Sequence, residues 1–275
     1  MSAILDDMDS RPGSATSLMR TIIGLYLRQI GGWISIANLV ELMAQLDVSA
    51  SAARTAVTRL KSKELLRPRA VGGVAGYEAN SDAVPMLEGG DRRIFSPRTM
   101  SSDDAWCLIS FSIPEPRREA RHQLRRRLHW IGCGTVSPAL WICPDFLRNE
   151  VEDILADLEL RECATLFRTD RPLVGGELKS AIARWWDLGA LESLHRRALG
   201  ELGQLISAGP TDPGEAFARY VRGVDAWRVI PYLDPGLAPD LLPAEWPGRD
   251  SGRAFDELAT LYRESSEAYL KQLVE

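Results

Sequence analysis

Short hydroxyl side chains and two arginines share one face of a helix predicted to begin near Ser49. At 100° per residue, that face carries Ser51, Arg54, Thr55, Thr58, Arg59 and Ser62. It has no acid and no large aliphatic side chain. Hydroxyl groups bond phosphates or base edges, and a guanidinium pairs bidentately with guanine. The residue types therefore predict a binding surface for the major groove of DNA.

These side chains fall into two groups by the contact that we expect. Groove contacts are assigned to Arg54, Thr55, Thr58 and Arg59, and phosphate contacts to Ser51, Lys61, Arg67 and Arg69. One bidentate arginine–base pair contributes about 1–3 kcal/mol of discrimination, whereas a phosphate contact mostly adds salt-dependent affinity. The alternative is a three-helix protein-interaction module whose polar face is solvated.

The surrounding sequence predicts a winged helix-turn-helix domain over residues 16–80, after a disordered N-terminal segment at 1–15. Thr16–Ile30 is an amphipathic helix, and an apolar stripe at helical spacing predicts a second helix around Leu42. Ser49 or Ser51 is the expected cap of the third helix, which buries Ala53, Ala56, Val57 and Leu60. The stretch RPRAVGGVAGYEAN then predicts a basic hairpin, the wing.

The rest of the chain predicts an α+β multidomain protein. Residues 81–105 are expected to be a connector, whose Arg92, Arg93 and Arg98 could contact the DNA backbone. Residues 106–170 alternate as β-α-β-β-α-β, the order of a ferredoxin-like domain, to which we assign dimerisation. Residues 171–275 are expected to form an all-helical C-terminal domain.

The net charge of −5 hides an uneven distribution along the 275 residues. Residues 1–10 hold three acids and no Lys or Arg. Residues 11–128 hold 18 Lys+Arg against 11 Asp+Glu, a net +7, whereas residues 129–275 hold 15 against 24, a net −9. A basic front half fits a chain whose front faces phosphates.

Cysteine usage and the N-terminus predict a cytoplasmic protein with no membrane partner. Each of the four cysteines stands alone among apolar residues, without a CxxC pair for zinc. We expect all four to be reduced and buried. The first residues are acidic and polar, where a signal peptide would be basic and then apolar. The three histidines lack the spacing of a metal site, so no metal is expected.

Arginines and tryptophans in the later two-thirds of the chain are candidates for binding a small ligand. We assign this role to Arg125, Arg126, Trp130, Trp185, Trp186 and Trp227. Arginines suit the phosphates of a CoA-type ligand, and tryptophans suit an aromatic pocket. The alternatives are that the arginines form a solvated or partner-binding face and that the tryptophans are core.

An enzyme is not expected, although one enzymatic alternative can be stated for particular residues. Ferredoxin-like domains can serve as metal-dependent nucleases, for which Asp103-Asp104 of two subunits would have to bind a cation. The pair more simply starts the first strand of the domain from solvent.

Three segments, in this order, resemble the PaaX family, transcriptional repressors of phenylacetate degradation. They are SASAARTAVTRLKSKELL with its glycine wing, LRRRLHWIGCGTVSPALWICP, and WWDLGALESLHRRAL followed by ARYVRGVDAWRVIPYLDPGLAPDLLPAEWPG. The resemblance implies a homodimer on a near-palindromic operator, released by an aryl-acyl-CoA such as phenylacetyl-CoA or by a related aromatic acid, with no resident cofactor. The pair Trp185-Trp186 departs from the family's usual pattern, which leaves the identity of the inducer open.

Overall fold

A computed structural model of the chain describes residues 11–209 and 212–275. The first ten residues of the predicted disordered N-terminal segment lie outside the described residues, as do two residues of a turn-rich break after Gly209. The described chain is a mixed α+β protein. Helices follow one another from Leu178 to Val274, which confirms a helical C-terminal region.

Contacts divide the chain into two compact units. The central unit contains Arg93–His195 and Ile230–Gly248. The N-terminal unit contains the described residues up to Arg92, together with the described parts of Arg196–Val229 and Arg249–Glu275. The predicted C-terminal region at 171–275 therefore contributes helices to both units.

The front of the N-terminal unit contains the helices and the hairpin that carry the predicted DNA contacts. Its elements are α1 (Ala15–Ile22), β1 (Trp33–Ser35), α2 (Ile36–Ala44), α3 (Ala50–Ser62), β2 (Leu66–Val71) and β3 (Val74–Ala79). Ser49 caps α3 by accepting the backbone N–H of Ala52 at 3.3 Å. The predicted inner stripe of α3 is buried, namely Ala53, Ala56, Val57 and Leu60.

The hairpin belongs to a three-stranded antiparallel sheet with the order β1-β3-β2. Gly72 and Gly73 form its two-residue turn with φ of 59° and 82°, the left-handed values that such turns require. Strand β1 was not predicted, because three residues are too few for an alternating pattern to show.

A buried polar cluster joins α1 to α9 (Pro213–Trp227), and we call it the Asp225 network. Ser17 and Thr21 donate their hydroxyls to Asp225 Oδ1 at 2.6 and 2.8 Å. The backbone N–H of Gly13 donates to Oδ2 at 2.7 Å. Arg228 completes the network with Nε 3.1 Å from Asp225 Oδ1 and Nη2 2.8 Å from Ser17 Oγ. Because Asp225 and Arg228 are only 1% and 4% exposed, water does not substitute for these bonds.

The last helices also cover the front of the N-terminal unit from its apolar side. The N-terminal unit contains the second part of α8 (Leu188–Ser207) and nearly all of α11 (Gly248–Val274). The ring of Tyr26 lies 5.7 Å from that of Phe217, and its hydroxyl bonds Ser266. Residues of the C-terminal region therefore complete the core under α1.

The central unit is built on a four-stranded antiparallel sheet. Its elements are β4 (Trp106–Phe111), α5 (Arg118–Trp130), β5 (Gly134–Ser137), β6 (Leu140–Pro144), α6 (Arg148–Asp157) and β7 (Ala164–Thr169), followed by α7 (Leu178–Trp185) and α10 (Ile230–Leu233). The strand order is β5-β6-β4-β7. At one end of the sheet, Trp106 pairs with both Pro144 and Thr169.

Both faces of this sheet are covered along its central strands, β4 and β6. Trp106, Leu108 and Ile142 lie in an apolar cluster with Ile182 and Trp186. The alternate residues of β4, which point to the other face, are buried as well, including Cys107 and Ile109. Three of the four cysteines are buried and Cys163 is half-buried, and all four are free thiols. A hydrogen bond to Cys143 and then burial raise the pKa of Cys107 far above its usual value, so this thiol stays protonated.

Residues 81–105, predicted as a connector, contain a helix, α4 (Val84–Phe95). Pro85 and two glycines suggested a break, but proline is tolerated in the first turn of a helix. We expected that Arg93 could contact the DNA backbone, but it is not available for this. It bonds Glu150 at 2.7 Å and the carbonyl of Pro231 at 2.9 Å.

Candidate nucleic-acid interface

The outer face of α3 is solvent-exposed, as its sequence predicted. Its exposed side chains are Ser51, Arg54, Thr55, Thr58, Arg59, Lys61 and Ser62. The same helix buries its small apolar residues, so both the helix and the orientation of its polar face follow from one packing contact. No acid occurs between Ser51 and Lys63, which leaves this face with positive and neutral groups.

Hydroxyl groups on this face donate inward to the helix backbone. Thr55 Oγ1 donates to the carbonyl of Ser51 and Thr58 Oγ1 to that of Arg54, each at 3.0 Å. Ser62 Oγ donates to the carbonyl of Arg59 at 2.8 Å. The oxygen lone pairs and the threonine methyl groups remain for an external partner. These groups suit amino groups of bases and the methyl group of thymine.

The cations of α3 are available for contacts. Arg54 has no hydrogen-bond or ion-pair partner within the described residues. Arg59 makes one exposed contact of 3.3 Å with the hydroxyl of Thr16. Lys61 lies 5.9 Å from the ring centre of Tyr77, which directs it along the hairpin. Contacts of this kind in water are weak, so DNA can displace them.

The two arginines of the hairpin are partnered by local acids. Arg69 lies 2.7 Å from Glu78 and Arg67 lies 3.5 Å from Asp82. Both pairs are exposed and therefore contribute little to stability. The carboxylates lower the net positive charge of the wing, so α3 carries the stronger attraction for phosphates.

Trp33 holds the hairpin in place through Gly76. The indole N–H donates to the carbonyl of Arg69 at 3.0 Å. A Cβ at Gly76 would overlap the carbonyl oxygen of Ile34 and lie 2.6 Å from carbons of the indole. Only glycine allows this close approach of ring and strand.

Gly76→Ala is therefore expected to destabilise the N-terminal unit by about 1–3 kcal/mol, the usual cost of overpacking. The measurement is the midpoint of urea unfolding followed by circular dichroism. Gly200→Ala is the matched control, because a Cβ there meets nothing within 4 Å in helix α8. Equal midpoints for Gly76→Ala and wild type would contradict the role given to Trp33.

The predicted ligand-binding arginines are engaged within the central unit. Arg125 is half-buried and donates to the carbonyl of Pro138 at 2.7 Å, and Arg126 also has a partner. Their neighbour Arg127 is buried 3.4 Å from Asp157. The run of arginines on α5 thus has structural partners, which sequence could not reveal.

The predicted ligand-binding tryptophans are mostly packed in cores. Trp186 is buried and donates its indole N–H to the carbonyl of Gly132 at 2.8 Å, while half-buried Trp185 lies 6.4 Å from it. Trp130 stacks on Tyr232 at 5.4 Å. Trp227 belongs to the N-terminal unit, where it stacks on Phe255 at 5.1 Å. Of these tryptophans, the structure brings Trp185 and Trp186 together, beside Trp106.

Groups that could support catalysis have structural partners. Asp104 accepts the backbone N–H of Ser101 at 2.9 Å and so closes the turn before β4. Buried His195 lies 2.8 Å from Asp234, a pair that the sequence did not suggest. Within the described part of the chain, no three His, Cys, Asp or Glu side chains form a group that could hold a metal. Across the same residues, no helix has an apolar stretch that could cross a bilayer.

Three family models match consecutive parts of the chain. They are a PaaX-like protein model at residues 14–83, the PaaX protein central Cas2-like domain at 99–182, and the PaaX-like protein C-terminal domain at 186–272. The first of these contains the outer face of α3 and the hairpin.

Two similar proteins cover most of the chain. A curated relative, the transcriptional repressor PaaX of Escherichia coli (strain K12), is 23% identical over 244 residues, which are 86% of this chain and 77% of the relative. A solved structure, the uncharacterized protein Rv0674 from Mycobacterium tuberculosis, is 22% identical with a TM-score of 0.57, over 90% of this chain and 97% of that one. At this identity, the second similarity shows the fold alone.

Proposed function

The chain belongs to the PaaX family, and we propose that it is a ligand-responsive transcriptional repressor. The single observation that carries the proposal is the exposed outer face of α3, which combines hydroxyls with Arg54 and Arg59 and has no acid. The curated relative is a transcriptional repressor. This function is that of a regulator and not of an enzyme. Because its ligand is chromosomal DNA, we place the protein in the cytoplasm.

We infer that the front of the N-terminal unit is a winged helix-turn-helix. In this interpretation α3 is the recognition helix, which enters the major groove, and the β2–β3 hairpin is the wing. The buried stripe of α3 leaves the opposite, polar side of the helix exposed, which supports this interpretation. We assign groove contacts to Arg54, Thr55, Thr58 and Arg59, and phosphate contacts to Ser51, Lys61, Arg67 and Arg69.

We infer that the sheet of the central unit is a ferredoxin-like domain and that the protein binds as a homodimer. The strand order β5-β6-β4-β7 and the order β-α-β-β-α-β support the fold assignment. A homodimer would place two recognition helices about 34–36 Å apart, one turn of DNA, on a near-palindromic operator.

The proposed effector is an aryl-acyl-CoA or a related aromatic acid. An effector that binds better to a dimer with another helix spacing lowers operator affinity by its differential affinity for the two states. Such a ligand needs both an apolar pocket and an anion-binding group.

The salt dependence of DNA binding tests the function directly. Lys61, Arg67 and Arg69 of two subunits give six phosphate contacts, for which the affinity should fall by about 1000-fold between 50 and 200 mM salt. The measurement is fluorescence anisotropy with a labelled duplex from upstream of the gene itself.

A protein-interaction module is the second candidate, favoured by the acids that pair with Arg67 and Arg69 on the wing. In the anisotropy measurement, an unrelated duplex of equal length is the control for the upstream duplex. If the upstream duplex binds no better than the control at any salt concentration, the repressor function is wrong and the interaction module is preferred.

A further inference from the structure

We propose that the effector binds at one end of the central sheet, where a cavity with one apolar wall meets an arginine-rich cleft. The proposal rests on the repressor function proposed above. It locates the effector away from the tryptophans and arginines that the sequence suggested, since these are packed or hydrogen-bonded. Trp106, at the start of β4, lies at the centre of the new site.

The cavity has the size and the lining of a small-molecule site. Its volume is about 530 Å³, within the range of ligand pockets. Trp106, Met100 and Leu178 provide its apolar wall, and Ser101 and Ser102 add hydroxyls. Trp106 is 3% exposed and lies 6.3 Å from Trp186, so the wall is continuous with the apolar core of the unit. An aromatic or other apolar group can therefore bind against a firm surface.

The neighbouring cleft of about 330 Å³ carries three arginines against two carboxylates. Its charged lining residues are Arg98, Asp104, Asp145, Arg148 and Arg168. The guanidinium of Arg98 lies 4.5 Å from the ring centre of Phe146 and has no carboxylate partner among the described residues. Stacking on a ring leaves the in-plane N–H groups of arginine free to bind an anion.

The other two arginines lie near Asp145 but make no short hydrogen bond with its carboxylate. Arg168 Nε lies 3.5 Å from Asp145 Oδ2, and Arg148 Nη1 lies 3.8 Å from Oδ1. Arg168 Nη1 also donates to Asp170 Oδ1 at 3.2 Å, in a pair whose side chains are both more than half exposed and which a ligand phosphate can displace. The two distances to Asp145 exceed the 2.7–2.9 Å typical of charge-assisted hydrogen bonds. Asp145 Oδ1 itself is buried and has no hydrogen-bond partner in residues 11–209 and 212–275. A phosphate in the cleft would therefore find donors on three arginines, and a ligand hydroxyl or amide would satisfy Asp145.

The linings of the two spaces meet at neighbouring residues. Ala105 lines the cleft and Trp106 lines the cavity, while Arg168 and Asp170 do the same across the paired strand. Because Trp106 and Arg168 stand at successive register positions, the two spaces lie on opposite faces of the sheet, next to each other at its end.

The charges that line the cavity and the cleft indicate which part of a ligand each space would bind. The cavity has two cations, Arg171 and Lys179, against three acids, Asp170, Glu177 and Asp240. The excess of positive charge lies in the cleft and the apolar surface in the cavity. The site therefore fits a ligand in which an apolar acyl or aryl group is joined to a phosphate-bearing arm, as in an acyl-CoA thioester.

Calorimetric titration of the full chain with phenylacetyl-CoA, free CoA and phenylacetate tests the site. Arg98→Gln/Arg148→Gln/Arg168→Gln should weaken binding of the thioester and of CoA about tenfold or more and leave phenylacetate unchanged. Ser102→Trp should fill the cavity and weaken binding of the thioester and of phenylacetate. Arg118→Gln/Arg161→Gln/Arg184→Gln removes equal charge from exposed arginines of the same unit and should bind like wild type.

The outcomes separate this site from the proposed function. If wild type and all variants bind the thioester equally, the site is overturned and the repressor function stands. If the cleft variant loses affinity for operator DNA without the thioester, the arginines contact DNA, and the site is again overturned. If wild type binds the operator but none of the three probes, both the site and the proposed effector class are wrong.

Discussion

Replacing Arg54 and Arg59 together with alanine should weaken operator binding by about 1000-fold. Two arginines in each of two subunits make four contacts, and about 1 kcal/mol for each gives about 4 kcal/mol, or three factors of ten. The fold should be unaffected, because both side chains are exposed and Arg59 makes only a weak contact, with Thr16, within the part of the chain that the structure describes. The measurement is a gel shift on operator DNA, with a sizing run to confirm the assembly state.

Arg249→Ala/Arg253→Ala is the matched control for this double variant. It removes the same charge from exposed positions of α11 in the same unit. Affinity close to that of wild type in the control, with a large loss in the Arg54 and Arg59 variant, assigns the effect to contacts of α3. Equal affinities for the two variants, each with the assembly state of wild type, would rule out α3 as the recognition helix.

Asp225→Ala should lower the free energy of unfolding by about 3–5 kcal/mol, the cost of removing one partner from a buried ion pair. The variant leaves the guanidinium of Arg228 buried without its carboxylate, and it takes the acceptor from Ser17 and Thr21. Denaturant unfolding followed by circular dichroism measures the loss. Limited proteolysis should also show earlier cleavage within α1, because its attachment to α9 is broken.

Asp250→Ala provides the comparison for the buried site. Its carboxylate pairs with Arg253 at 2.6 Å, but both side chains are more than half exposed, so we expect a change of at most about 1 kcal/mol. A similar small change for Asp225→Ala would show that the Asp225 network does not hold α1 to α9.

Local patterns in the sequence predicted the parts of the fold that local physics decides. The four buried residues of α3 recur at helical spacing, and Ser49 precedes them at capping distance. Gly72-Gly73 marks the hairpin, because few other residues adopt its φ values. By contrast, α4 was missed, since Pro85 and two glycines imitate a loop when their position in the helix is unknown.

Contacts between distant residues could not be predicted from single positions. Ser17 and Asp225 are 208 residues apart, and each is an ordinary polar residue in an amphipathic helix. Arginines give the same difficulty. Arg125 and Arg98 are the same kind of residue, but Arg125 donates to a backbone carbonyl, whereas Arg98 stacks on Phe146 beside a cleft. Burial and partners, which depend on the whole fold, distinguish them.

The packing of the N-terminal unit cannot be completed until nearly all of the 275 residues have been translated. Its first helices are complete when Arg92 has been made, yet Tyr26 still lacks Phe217, and Asn38 still lacks the carbonyl of Leu273, to which it donates at 3.3 Å. At about 5–20 residues per second, the ribosome needs roughly 10–40 s to supply them. During that interval the nascent chain exposes the apolar side of α1, so it must either be sheltered by a chaperone or risk aggregation.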